Sequence, residues 1–178
     1  MTKFLKMKIV LLGYMGSGKS TIGRNLANEI QLPFVDLDDY IREKESKTIS
    51  TIFKEKGEIY FRKVEHQYLK EILNFNVSFV LSLGGGTPCY ANNMDVIKNS
   101  DTVSFYLQAS IKTLVNRLLK EKNQRPLIAT LEDDKVDEFV AKHLFERNSF
   151  YQEADFTIKT DDTSTSEIVR ELKKCSNL

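Results

Sequence analysis

The 178-residue sequence holds only two cysteines and no apolar run near the roughly 20 residues that a membrane span needs. Cys89 and Cys175 have neither metal-ligand spacing nor a partner motif, so thiolate chemistry offers no argument here. Both read as plain thiols in a reducing cytoplasm, which is the expected location. Charge of one sign is also lacking. The formal net charge is +1, so bulk electrostatics give no reason to expect nucleic acid or a membrane as partner. The N-terminal stretch from Met1 to Lys8 is basic, but the apolar run behind it is short and ends in a glycine loop. No signal peptide is expected. Internal repeats and low-complexity segments are absent. Ordinary hydrophobic (41%) and charged (29%) content at this length fits a single domain over residues 1–178 with a substantial core.

What is present is alternation. Short apolar runs are expected as strands at Met7–Gly13, Phe34–Asp38, Val77–Leu83, Thr102–Leu107 and Phe156–Thr160. Helical spacing is expected from Lys19 to Ile30, from Ile41 to about Leu73 with a break near Gly57, and around Ile111, Leu114, Val115 and Leu118. A last helix is expected to start at Ser164-Thr165-Ser166-Glu167, a capping box in which Glu167 reaches back to Ser164. Strands alternating with helices imply βαβ units and right-handed crossovers. The fold class is therefore α/β, with a five-stranded parallel sheet flanked by helices. Lys120 to Glu138 interrupts the pattern with dense charge of both signs and one proline. It reads either as a solvated loop or as a lid over a site. His66 and His143 fall in charged helical stretches and receive no role.

Gly13-Tyr14-Met15-Gly16-Ser17-Gly18-Lys19-Ser20 fits the phosphate-loop pattern G-x-x-x-x-G-K-[ST], between an expected strand and an expected helix. Glycines there let backbone N–H groups curl around phosphate oxygens at the positive end of the helix. Lys19 would reach the β- and γ-phosphates, and the Ser20 hydroxyl would ligate Mg²⁺. GTPase elements are missing, because no aspartate stands three residues before a glycine. The third strand ends in Ser82-Leu83-Gly84 and supplies no aspartate to steer magnesium. The acidic run Asp36-Leu37-Asp38-Asp39 is the candidate instead. Read as the end of a strand, it points Asp36 and Asp38 into one crevice and Leu37 into the core. Asp39 reads as a first-turn helix acid. Carboxylates this close repel, so the empty site is expected to be electrostatically strained and to respond to magnesium.

These elements, in this order, resemble the shikimate kinase family, of the nucleoside-monophosphate-kinase-like P-loop class. The resemblance runs along essentially the whole chain. It rests on the phosphate loop at 13–20, D-x-D at Asp36 and Asp38, F-R at Phe61-Arg62, and G-G-G at Gly84-Gly85-Gly86. R-P-L at Arg125-Pro126-Leu127 and R-x-x-x-Y at Arg147 and Tyr151 complete it. It implies a three-layer α/β/α kinase with a lid at about 120–138 and a substrate-binding helical segment at about 39–74. The implied reaction transfers phosphate from ATP, with Mg²⁺, to the 3-hydroxyl of shikimate in aromatic amino-acid biosynthesis. By the same resemblance Arg62 and Arg147 bind the substrate carboxylate beside Gly84, Gly85 and Gly86, and Asp38 meets the reacting hydroxyl. Asp36 and Ser20 hold Mg²⁺, Asp36 through water. Gly13, Gly16, Ser17, Gly18, Lys19, Ser20, Thr21 and the lid residue Arg125 hold ATP. Arg117 and the loop after the fifth strand are candidate neighbours of adenine. A monomer is expected.

Two features depart from the family pattern: Ser149 stands where proline is usual, and Thr87-Pro88-Cys89 follows the glycines. Cys89 reads as a packed thiol. Two other functions remain open from sequence: a related kinase for gluconate or a nucleoside monophosphate, and a nucleotide-binding regulatory module without turnover. The paired arginines with G-G-G speak against the first, and intact Lys19, Ser20, Asp38 and Arg125 against the second.

Overall fold

The computed structural model describes residues 7–122 and 126–178. Its strands are β1 (Lys8–Leu12), β2 (Phe34–Asp36), β3 (Phe79–Ser82), β4 (Val103–Gln108) and β5 (Phe156–Lys159). They form one sheet in the order β2-β3-β1-β4-β5, and every pairing is parallel. Helices α1 (Lys19–Ile30), α2 (Leu37–Glu45), α3 (Ile49–Leu73), α4 (Asn93–Lys98), α5 (Ile111–Lys120), α6 (Pro126–Ala129), α7 (Val136–Tyr151) and α8 (Thr165–Cys175) connect and cover it.

β1 is buried along its whole length, and its side chains divide by parity. Ile9 and Leu11 join Ile22, Leu26, Val169 and Leu172 in a core under α1 and α8. Val10 and Leu12 join Ile41, Leu69, Leu114 and Val140 in the larger core on the other face. A strand buried on both faces reads as a continuous apolar run, and that is why "KIVLL" signals a central parallel strand. The expected five-stranded parallel sheet is therefore present. Because the chain moves from β1 outward in both directions, its loops leave a crevice at the carboxyl end of β1.

Several boundaries shift. The second strand stops at Asp36, and Leu37 already opens α2. The expected helix from Ile41 to Leu73 is two helices, separated where Ser46 turns left-handed at φ 50°. The expected break near Gly57 appears as a kink inside α3, with φ 79° and ψ 174°. Helix α7 has no counterpart among the helices expected from spacing. It buries Val136, Val140 and Tyr151 but leaves Phe145 87% exposed, so its apolar stripe is poorly defined.

Helix α8 begins with the expected capping box. The Glu167 backbone N–H donates to Ser164 Oγ at 3.3 Å, and the Ser164 N–H donates to Glu167 Oε2 at 2.9 Å. Ser164→Ala should lose about 1 kcal/mol of stability, lowering Tm in a thermal melt by about 2–4 °C.

Candidate active site

The loop from Gly13 to Lys19 leaves the end of β1 and curls into the first turn of α1. Gly13 takes φ 143°, and a Cβ there would stand 2.7 Å from the Leu107 carbonyl oxygen. No side chain fits. Lys19 is 8% exposed and lies along the loop, its Nζ donating to the carbonyls of Gly13 and Tyr14 at 2.9 Å each. Ser17 Oγ is buried without a hydrogen-bond partner among the described residues. An orphaned hydroxyl in a loop of N–H groups fits a phosphate oxygen. The loop lines a cleft of about 460 Å³ together with Ser20, Asp36, Asp38, Gly84 and Arg117. Arg117 reaches from α5 to donate to the carbonyls of Gly16 (3.2 Å) and Thr160 (3.1 Å), tying the phosphate loop to the loop after β5.

Asp36 and Asp38 do converge on this cleft, but not by strand alternation. Asp36 is the N-cap of α2, and its Oδ1 accepts the Asp38 backbone N–H at 3.1 Å. A helix start, not a strand end, aims the second carboxylate. Asp36 Oδ2 accepts from Ser20 Oγ at 2.9 Å. Two hard oxygen ligands side by side below a phosphate loop fit Mg²⁺, which takes few protein ligands and keeps water and phosphate oxygens. Asp39 points away, paired with Arg42 and Arg24, and Leu37 is fully buried. Burial, with Asp36 and Glu65 nearby, pushes the Asp38 carboxyl up to about 6.

The glycine turn after β3 faces Asp38 and the phosphate loop. A Cβ on Gly85 would stand 3.2 Å from the Met15 nitrogen, and one on Gly86 would stand 3.1 Å from Arg62 Nη2. Glycine here permits close approach, since the turn lies within van der Waals reach of both neighbours. Arg62, on α3, sits over the Tyr90 ring at 3.9 Å and gives Nη1 to Glu65 Oε2 at 2.9 Å. Arg147, on α7, lies 5.8 Å from the Tyr14 ring centre. The Tyr151 hydroxyl, one helical turn further, donates to the Gly85 carbonyl at 2.5 Å. Arg62 and Arg147 both bear electrostatically on Cys89, yet burial dominates and pushes its thiol up to about 11. Cys89 is thus a packed, protonated thiol, as expected.

Sequence reasoning left out Glu65 and the Tyr14–His143 contact. Glu65 stands three residues after Arg62, a spacing that places both on one helix face. The Tyr14 hydroxyl lies 3.3 Å from His143 Nδ1; no local signal links residues 129 positions apart. Arg125 lies outside the described residues.

A parallel sheet in this order, with a phosphate loop leaving its central strand, makes the chain a P-loop kinase of the small α/β/α type. Comparison narrows the class. The shikimate kinase family model matches residues 15–177, and the chain belongs to that family. It is 52% identical to a shikimate kinase of Flavobacterium psychrophilum over 167 residues, covering 94% of this chain and 97% of the relative. The crystal structure of a Bacteroides thetaiotaomicron shikimate kinase superposes with a TM-score of 0.89 at 36% identity, covering 97% of this chain and 99% of that one. An Acinetobacter baumannii shikimate kinase in complex with shikimate superposes at 0.85 and 30% identity, over 96% and 92% of the two chains.

The raised Asp38 pKa carries a stability consequence. A carboxyl whose folded pKa (about 6) exceeds its reference value (3.8) costs the fold stability above pH 6. That cost shrinks as pH falls through 6 and is gone below about 4. Asp38→Asn should therefore melt a few degrees higher than the parent at pH 7.5 without ligand, on the order of 1–2 kcal/mol. The two melting curves should coincide near pH 4.

Proposed function

We propose that this chain transfers the γ-phosphoryl group of ATP to the 3-hydroxyl of shikimate, giving shikimate 3-phosphate and ADP in aromatic amino-acid biosynthesis. The observation that carries the reading is a single cleft shared by the phosphate loop, Asp36, Asp38 and the glycine turn, with Arg62 packed against that turn. Family membership along nearly the whole chain supports the same acceptor. The paired Arg62 and Arg147 beside the glycine turn speak against a nucleotide as acceptor, and Asp38, poised to take a hydroxyl proton, has no use in a module without turnover.

The backbone N–H groups of Gly13, Gly16, Ser17 and Gly18 cradle the ATP phosphates, with the Ser20 and Thr21 amides at the helix start. Lys19 exchanges its loop carbonyls for phosphate oxygens and offsets charge that builds on the transferring group. When bound, Mg²⁺ supplies charge neutralisation of the phosphates, held by Ser20 and, through water, Asp36. Arg62 and Arg147 bind the shikimate carboxylate, and Gly84, Gly85 and Gly86 admit the ring without a Cβ in its way. Asp38 accepts the hydrogen bond of the 3-hydroxyl. With a pKa near 6 it is ionised at neutral pH yet more basic than an ordinary carboxylate, which suits it to take the proton as phosphate transfers. Residues 120–138 act as the lid, and Arg125 closes on the phosphates and helps exclude water. The helical segment 39–74 belongs to acceptor binding. We place the enzyme in the cytoplasm, a compartment that suits its two free cysteines, and read it as a monomer.

A coupled ADP-release assay tests the reaction. Shikimate should stimulate ADP release far above the ATP-only rate, while gluconate and nucleoside monophosphates should not; no stimulation by shikimate would overturn the assignment. Asp38→Asn should reduce kcat by about a hundredfold or more while ATP binding persists. Near-normal turnover would remove Asp38 from the chemistry. Arg62→Ala should raise KM for shikimate by roughly 30- to 100-fold and leave KM for ATP within about twofold, because a desolvated charge pair with the carboxylate is lost.

A further inference from the structure

Glu65, the partner of Arg62, is 1% exposed, and a carboxylate that deep needs more than one donor. Oε2 accepts from Arg62 Nη1 at 2.9 Å, and Oε1 accepts from Thr87 Oγ1 at 2.7 Å. Thr87 is fully buried and is the first residue after the glycine turn. Its own carbonyl accepts from Asn93 Nδ2 at 2.8 Å, and Asn93 Oδ1 lies 2.7 Å from His66 Nδ1. With the Asn93 amide nitrogen committed to a carbonyl, Oδ1 must be the acceptor, and His66 Nδ1 must carry the proton. The donors therefore run one way, from His66 through Asn93 and Thr87 to Glu65. Asn93 is fully buried at the start of α4, so little slack exists along the chain.

The consequence falls on Arg62. A carboxylate and a guanidinium left alone pair through both oxygens, in the bidentate fork. Here Oε1 accepts from Thr87 instead, and the hydrogen bond from Arg62 falls on Oε2. Nε turns to Glu58 at 3.4 Å, and both Nη atoms lie against Gly86 in the glycine turn. The same hydroxyl stands where Gly84 approaches Asp38. A Cβ on Gly84 would meet Thr87 Oγ1 at 3.0 Å and Asp38 Oδ1 at 3.2 Å. One residue thus borders the carboxylate clamp and the acceptor carboxylate together.

We infer that Thr87, anchored through Asn93 and His66, is a positioning residue for the acceptor: it occupies one oxygen of Glu65 and so keeps Arg62 presented to the substrate carboxylate. This rests on the assignment of Arg62 to that carboxylate. The variant Thr87→Val keeps the shape and removes the hydroxyl, freeing Glu65 to take Arg62 through both oxygens.

Steady-state kinetics and calorimetric titration with shikimate test the inference on Thr87→Val, Thr87→Ser, Arg62→Ala and the Arg62→Ala/Thr87→Val double variant. Thr87→Val should raise KM and Kd for shikimate about tenfold, with KM for ATP within about twofold. Thr87→Ser, which restores the donor, should return to within about twofold of the parent. In the Arg62→Ala background the Thr87→Val change should add little, since the two act through one contact. An unchanged KM for shikimate in Thr87→Val, a loss that serine does not rescue, equal effects on both substrates, or full additivity in the double variant would each overturn it. If Arg62→Ala itself leaves shikimate binding intact, the clamp assignment fails and this inference falls with it; a silent Thr87→Val beside a defective Arg62→Ala defeats the inference alone.

Discussion

Asp36 and Asp38 line one cleft with the buried Glu65 close behind them, and the rest of the site is arranged around holding these three carboxylates together. Like charges at such range would drive each other apart or take up protons. Each is held from a different side. Asp36 accepts from Ser20 and from the first turn of α2; Glu65 accepts from Arg62 and Thr87. Asp38 has the least compensation, chiefly the charge of Lys19, and its pKa rises. On the proposed reading this leaves Asp38 basic enough for proton transfer, while its neighbours stay committed to holding other groups.

The topology makes this convergence possible. With β1 central and β3 beside it, the phosphate loop and the glycine turn leave adjacent strands at the same edge, and β2 adds Asp36 one strand further out. Helix α3 then lays Arg62 and Glu65 against the glycine turn, while α7 brings the Tyr151 hydroxyl to the Gly85 carbonyl. The Tyr151 hydroxyl on the Gly85 carbonyl and the Thr87 hydroxyl on Glu65 both hold the turn in place. Neither group is an obvious ligand contact. On the proposed reading both set where the ligand contacts stand.

The parallel sheet was legible because doubly buried strands are short, apolar and separated by helices of clear periodicity. Helix α7 was not, since it packs through few positions and exposes Phe145. Asp36 and Asp38 were legible as a pair, but for the wrong geometric reason: Asp36 caps a helix that begins one residue later, and the two-residue periodicity of a strand never reaches Asp38. Glu65 could have been read from its i, i+3 spacing to Arg62. Thr87 could not, because its importance lies in a partner 22 positions away.

The sequence by itself determined the elements that depend on local physics. A phosphate loop needs glycine at left-handed or crowded positions, a capping box needs its serine and glutamate three apart, and a central parallel strand needs an unbroken apolar run. Membership in the shikimate kinase family was readable for the same reason, since its motifs are local. Tertiary structure alone decided how charges are compensated. Which carboxylate is basic, which oxygen of Glu65 is left to Arg62, and why His66 has a partner all depend on burial and on contacts between distant segments. Local spacing carries no record of either.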